Sequence, residues 1–547
     1  MRLFPRFGFL TVLLISSACS TRDSQLESKI DVVGVAPLGG DLAYVQSSAV
    51  VQRLNVMGAD PKPVTTKTAI RSNPRIVAKR AYLSTATPVD ELMVVSDGTR
   101  DAYEQVLEAP ALTVLDAQGN TRAYELAQSG QQLAQSPDGT FAVLFEDPKT
   151  TGNNALLSNP NEIAIVDLSK DPSSAGAVNP TIRTLDPVGG IPQAVWFARL
   201  KIAAQDRPFL LFSFPKGVSL IDPLNPTDPG HKIDLSNWVA TSTGSTPVAE
   251  AVVDPDAAKI YLRNVDSPDV QVISVTASAV GSGAVDLSQN TLTVGAISPS
   301  SSPSSFAVYS QTDGTRLVAT VGSKVAVVAA DSNTVATVQL PYPANHIFTF
   351  DGTAPKDGTV RHRAVLYQVP GPGISAATGI TFVNLEDLEQ TTTKALQAVD
   401  LGSTGLGSTL VSILQLSSMP NSLLLFLQQG GIEILDLQTR HWSLIGSTVG
   451  ITATVGDTML NRAWVSASGV SRLGYLDFGP PSQPALTIGD VLLDNPIKSF
   501  FRMDKGDIDR VVVWHDQVGG AVTLLDAKIP VRPTAKRLEG FLLSDLL

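Results

Sequence analysis

A β-propeller of four-stranded antiparallel blades is the all-β fold that this sequence predicts, on three observations. Alternating apolar runs recur along the chain and end in Asp, Asn or Thr. A second apolar strand candidate precedes each run, and turns rich in Asp, Gly, Pro or Asn open those second strands. The 547 residues are 43% hydrophobic and only 17% charged, with one cysteine, so no disulfide can form within a molecule and the core alone must stabilise a chain of this length.

The runs close at Asn55 (VVQRLN), Asp116 (ALTVLD), Asp167 (IAIVD), Asp222 (VSLID), Thr276 (VQVISVT), Asp331 (VAVVAAD), Asn384 (ITFVN), Asp436 (IEILD), Asp477 (LGYLD) and Asp526 (VTLLD). Their successive separations are 61, 51, 55, 54, 55, 53, 52, 41 and 49 residues, and a period near 50 marks a repeat architecture. The strands ahead of them are LAYV, LMVV, FAVLF, FLLFSF, KIYL, RLVATV, RAVLY, SLLLFL, RAWV and RVVVW. Turns before these include SPDG at Ser136, DPDA at Asp254, QTDG at Gln311, KDGT at Lys356 and MDKGD at Met503. Gly accepts positive φ and Pro presets the first corner, so such pairs suit tight turns.

A unit of this length has room for two further strands, such as QAVWFA (Gln193 to Ala198) before the turn and TVATVQL (Thr334 to Leu340) after the Asp. Four antiparallel strands make a propeller blade. A lone blade cannot bury both faces, and alternation along FAVLF or IEILD sends apolar side chains towards both neighbours. A sandwich array would need linker-like boundaries, and the Ser/Pro-rich GAISPSSSPSSF near Gly295 is short and falls where a blade-to-blade loop belongs. The tally is ten units. Rings of four to eight blades are usual, so seven to ten blades fit, and the 61 and 41 separations mark where the count is weakest.

The Asp at the strand end resembles the Trp-Asp position of WD40 repeats, and the turn–strand–strand–Asp order resembles bacterial YVTN and TolB-type propellers, from about Lys29 to Leu547. Such a resemblance implies a fold and leaves function open.

Ahead of the repeats, MRLFPRFGFLTVLLISSACS has Arg2 and Arg6, an apolar run from Phe7 to Ile15 and small residues up to Ala18 and Cys19. That order predicts a signal peptide over residues 1–18, the run being too short to span a bilayer. Ser16-Ser17-Ala18-Cys19 resembles a bacterial lipobox, with Ser16 where a Leu-like residue is usual. The resemblance implies lipidation of Cys19, a tether over 19–29 and a propeller over 30–547; ordinary signal-peptidase cleavage, leaving a free thiol, is the competing route. Ser20, where Asp would favour inner-membrane retention, implies the outer membrane, facing either the periplasm or the surface.

Net charge is −11, and −13 once Arg2 and Arg6 are removed. This argues against nucleic acid, which needs basic stripes. His231, His346, His362, His441 and His515 have no metal-ligand spacing, and Arg361-His362-Arg363, the densest basic spot, reads as a solvated flank before a strand. Asp504-Lys505-Gly506-Asp507-Ile508-Asp509 lacks the later Glu of an EF-hand loop and reads as a turn. No nucleophile elbow or phosphate cradle occurs. Asp436 to Trp442 has a trace of the docking-tryptophan repeat of quinone-dependent propeller dehydrogenases, in one unit only, so the five tryptophans read as packing or binding-face residues. No catalytic, metal-binding or cofactor-binding residue is assigned.

The reading that the sequence favours is a cell-envelope lipoprotein whose non-catalytic propeller binds another envelope protein or a surface polymer, held to the membrane by its N-terminal lipid. The outer-membrane assembly machine's propeller lipoprotein is the nearest analogy in fold and address. The alternative is a lactonase-like hydrolase with acidic and His side chains meeting at the channel mouth.

Overall fold

The computed structural model describes residues 31–543 apart from several short stretches, the longest being 81–89, 147–158, 236–247, 295–303, 370–378 and 401–409. Ten four-stranded antiparallel sheets form the blades of a β-propeller: blades 1 (32–69), 2 (74–125), 3 (132–184), 4 (194–234), 5 (250–293), 6 (305–339), 7 (346–400), 8 (410–447), 9 (453–492) and 10 (499–539). Each apolar run ending in Asp, Asn or Thr is the third strand of its blade, and each strand ahead of it is the second. QAVWFA begins the first strand of blade 4, and TVATVQL is the fourth of blade 6.

Both doubtful spacings have a structural cause. In blade 2 a two-stranded hairpin, Thr99–Arg100 with Val106–Glu108, interrupts the sheet between its second and third strands and lengthens the interval to 61. Blade 9 accommodates the interval of 41 with a complete sheet of four short strands.

The blades group into two compact units: one holds blades 3 to 8, and the other joins blades 9 and 10 to blades 1 and 2. Within each unit neighbouring blades cover each other's faces. In blade 7, Val365 lies in the cluster shared with blade 8, while Ala364 and Leu366 lie in the cluster shared with blade 6. This is the two-sided burial that the alternation predicts, and each fully buried Leu or Val stabilises by about 1.5–3 kcal/mol. Close approach fixes one glycine: a Cβ on Gly34, in the first strand of blade 1, would lie 2.7 Å from the Val77 Cβ of blade 2.

The join between the chain's two ends is packed by blade 10 and blade 1. Tyr44, Trp514 and Phe541 form its aromatic centre, with Tyr44 and Phe541 centroids 5.0 Å apart. A short 3-10 turn, Phe541–Leu543, buries Phe541 and Leu542 in this seam. The buried Gln52 amide donates to the Phe541 carbonyl at 2.6 Å.

A polar staple repeats at the seams. Arg462, at the head of the second strand of blade 9, faces Asp477 at the end of the third and is hydrogen-bonded to it; the same guanidinium donates to the Ala527 carbonyl of blade 10. Arg510 of blade 10 donates to Val56 and Gly58 carbonyls beyond the third strand of blade 1. Arg53 of blade 1 donates to the Ala117 carbonyl of blade 2 at 2.7 Å, and Arg363 of blade 7 to the Leu437 carbonyl of blade 8 at 3.2 Å. Val56, Ala117, Leu437 and Ala527 each follow the terminal Asp or Asn of their blade. Thus the residue after the strand end gives these blades a carbonyl that receives the neighbour's arginine, and in blade 9 the terminal Asp also orients the blade's own arginine.

Candidate functional site

The turn SPDG ahead of FAVLF frames one wall of an apolar cleft. Gly139 adopts φ 66°, and the Ser136 hydroxyl donates to Asp138 at 2.6 Å while accepting from the Phe141 amide at 2.9 Å. Asp138 also accepts the Thr140 amide at 3.0 Å. Burial pushes the Asp138 carboxyl up, but the Ser136 and Thr140 hydrogen bonds and the Arg199 charge outweigh it and hold it below its ordinary value. Arg199, in the first strand of blade 4, meets the second carboxyl oxygen at 2.6 Å.

Between this turn and blade 4 lies a cleft of ≈ 530 Å³, whose walls include Pro137, Phe141, Phe197, Pro208, Phe209 and Pro223. Among the described residues its only charged lining groups, Asp138 and Arg199, are paired with each other. A smaller cleft of ≈ 220 Å³ shares Pro223 and continues past Pro226 to Asn179 and Lys170. The arrangement is concave, apolar and turn-framed, suited to holding an aliphatic or aromatic side chain. The buried Ser136 hydroxyl donates to Asp138, whose carboxyl is held below its ordinary value and is therefore a weak base, and no described histidine is hydrogen-bonded to it.

The four-blade unit has a cleft of opposite character, ≈ 570 Å³, lined by Gly39, Asp90, Glu91, Asp116, Asp504 and Lys505 among others. Asp90, Glu91 and Asp116 have structural duties. Asp90 accepts the Gly39 amide at 2.5 Å and pairs with Lys79; Glu91 lies between Arg80 and Arg122. Asp116 caps its own turn by accepting the Gln118 and Asn120 amides at 2.9 and 2.8 Å.

The structure scatters the sequence candidates. Cys19 and His441 lie outside the described residues. His231 is in the fourth strand of blade 4. His515 is buried and satisfied, with Nδ1 2.9 Å from the Pro496 carbonyl and Nε2 2.8 Å from the Thr523 hydroxyl. His346 stacks on Tyr367 and has Nδ1 2.7 Å from Asn345 Oδ1; burial lowers its pKa, which the charge of Glu250, itself paired with Arg263, opposes. No hydroxyl or thiol is hydrogen-bonded to any described histidine except the buried Thr523. Among the described residues no group of three His, Cys, Asp or Glu side chains converges to hold a metal ion.

Arg361-His362-Arg363 is corrected from a solvated flank to part of the second strand of blade 7, Val360–Tyr367. Arg361 pairs with Asp387, His362 Nδ1 lies 2.8 Å from Asp351, and Arg363 is 6% exposed. The Asp504–Asp509 stretch is the predicted turn, with Lys505 opposite Ile508 and Gly506 at φ 61°. Trp464 packs in the blade 9 and 10 core, and Trp196 and Trp514 pack against other cores; the side chain of Trp442 lies outside the described residues. Sequence reasoning missed Phe197, Pro208 and Arg199, which converge from a different blade, although the SPDG turn that they meet was visible.

No family model matches the chain, and no curated protein matches it. Among solved structures, the chain is similar to the dihydro-heme d1 dehydrogenase NirN (13% identity, covering 77% of this chain and 78% of that one, TM-score 0.41). It is also similar to Sqt1 of Saccharomyces cerevisiae (10% identity, 72% and 94% covered, TM-score 0.40) and to AztD of Citrobacter koseri (10% identity, 74% and 93% covered, TM-score 0.35). At these scores the likenesses carry no argument about this chain, and the propeller rests on its own ten four-stranded sheets.

Proposed function

We propose that the protein is a cell-envelope lipoprotein whose propeller is a non-catalytic binding scaffold, and that the cleft between blades 3 and 4 receives an apolar side chain from an extended segment of another envelope protein. The observation that carries this reading is the composition of that cleft: among the described residues, three phenylalanines and three prolines surround ≈ 530 Å³, and the one carboxylate and one guanidinium are paired with each other. Binding needs such a surface, whereas hydrolysis needs a nucleophile held by a base. Lipidation at Cys19 and an outer-membrane address rest on the lipobox-like residues alone.

The test combines both parts. A photo-crosslinking residue placed at Thr140, on the cleft wall, is activated in intact envelopes, in the otherwise unaltered chain and with Phe197→Ala or Cys19→Ala added. A discrete adduct that weakens at least about tenfold with Phe197→Ala, the loss expected for a buried aromatic contact, supports the scaffold. Loss of membrane association with Cys19→Ala, together with an acylated N-terminal peptide by intact mass, supports the anchor. No adduct from Thr140 overturns the binding site, and an unmodified, freely soluble chain overturns the lipoprotein.

A further inference from the structure

Glu433 is completely buried, and neither of its carboxyl oxygens has a hydrogen-bond partner. It lies in the third strand of blade 8, Gly431–Asp436, directly opposite Leu425. Residues paired across antiparallel strands share a face, so Glu433 points with Leu423, Leu425 and Leu435 into the cluster formed with Val365, Ile380 and Phe382 of blade 7. A carboxyl group therefore sits in the apolar seam between two blades.

Among the described residues no charged group is paired with it. From blade 7, the second strand presents Arg363 and Tyr367 to this seam, and His346 stacks behind Tyr367 at 5.4 Å. Arg363 is committed to the Leu437 carbonyl, four residues along the strand from Glu433 and so roughly 13 Å away at the rise of a strand. Arg361 is taken up by Asp387, and His362 by Asp351. The first strand of blade 7 contributes Phe348 and Phe350, and its third strand, Gly379–Asn384, has no titratable group. Within blade 8 the first, second and fourth strands have none either, and Asp436 alternates to the opposite face. Burial pushes the Glu433 carboxyl up to about 7.

We propose that the seam between blades 7 and 8 is a proton-controlled latch, shut while Glu433 is protonated and loosened when its carboxyl ionises. The direction follows from linkage. Below the ordinary value of 4.5, closed and opened forms are both protonated and the seam is at full strength. Between 4.5 and about 7 the opened form releases its proton first, so closure weakens by up to about tenfold per pH unit. Above that range both forms are ionised and the loss is complete. Loosening uncovers the apolar face of Leu423, Leu425 and Phe382. The latch does not depend on the binding role of the blade 3 and 4 cleft.

Hydrogen exchange on the full chain from pH 5.5 to 8.5, normalised for the chemical rate, tests it against Glu433→Gln, which keeps the shape but cannot ionise. In the wild type, local opening of segments 379–384 and 422–436 is expected to increase at least tenfold over this range, as the raised carboxyl requires by about tenfold per unit below 7. In the variant it should stay flat, while segment 194–202 of blade 4 changes in neither protein. A flat wild-type profile, or the same rise in the variant, overturns the latch. Should the variant not fold, the infrared carbonyl stretch of a protonated carboxyl in glutamate-labelled wild type decides: it must persist at pH 6 and vanish by pH 8, and its absence at pH 6 overturns the proposal.

Discussion

The seam between blades 9 and 10 and the seam between blades 7 and 8 use the same staple with different endings. In the first, Arg462 faces Asp477, is bonded to it and to the Ala527 carbonyl, and lies over the rings of Trp464 and Tyr475 with its carbon 5.3 and 4.9 Å from their centroids. In the second, Arg363 faces Asn384, reaches Leu437 at 3.2 Å, and shares its seam with the unpartnered Glu433. One repeat letter, Asp or Asn, thus separates a neutralised buried guanidinium from one without a facing carboxylate. A buried charge is costly unless paired, so the two seams should differ in strength, and substitutions at each can break or widen that difference.

Arg462→Ala should have the largest effect. It removes the partner of Asp477, the bond to Ala527 and both cation–ring contacts, and breaking a buried pair costs about 3–5 kcal/mol. Exchange protection of the Ala521–Asp526 strand should collapse while the blade 7 strands are unaffected. If protection there falls by less than a factor of ten, the staple is decoration.

Glu433→Leu acts in the other seam and with the opposite sign. The buried carboxyl titrates at about 7 rather than 4.5, so at pH 8 the substitution should stabilise by up to about 3 kcal/mol, and at pH 5 by much less. Urea midpoints of wild type and variant should therefore converge as pH falls. Divergence at low pH would mean that the carboxyl is not the source.

How much of this was legible in the sequence follows from where each partner lies. The blade repeat was legible because alternation and a period near 50 are local signals. The staple was half legible: RAVLY, RAWV and RVVVW begin with the stapling Arg363, Arg462 and Arg510, whereas Arg53 lies inside VVQRLN. Its acceptors were not, because Leu437 and Ala527 receive through backbone carbonyls 74 and 65 residues away, and a carbonyl leaves no mark on residue identity. Glu433 was hidden for a related reason. Both faces of IEILD read as covered, which makes the Glu433 position interior, but a single Glu letter among apolar residues does not show whether a partner meets it there. The cleft was invisible as a site because Ser136–Phe141 and Phe197–Phe209 meet only once blades 3 and 4 stack.

Arg363→Ala should cost less than Arg462→Ala, about 1–2 kcal/mol, since it removes one neutral-acceptor bond and relieves a guanidinium that faces no carboxylate. Exchange protection of Gly431–Asp436 reports it. A loss equal to that at Arg462 would show that the facing Asp contributes nothing, and the contrast between the seams would fail.

The smallest effect tests the repeat letter itself. Asn384→Asp supplies blade 7 with the carboxylate that blade 9 has, and by itself should gain under about 1 kcal/mol. The gain is held down locally: the Asn384 amide donates to Asp387 at 2.9 Å, in the acidic first turn of the helix Leu385–Gln390. An Asp there loses that bond and meets a like charge. Adding Asp387→Asn removes the repulsion, although it also frees Arg361 from its 3.6 Å pair with Asp387. Arg361 is exposed enough for that loss to be small. The double variant should therefore exceed the sum of the singles by about 0.5–1 kcal/mol in a thermodynamic cycle. Additive behaviour would mean that Asn384 stands in blade 7 for the helix that follows it, and that the facing Asp of the other blades contributes through geometry rather than charge.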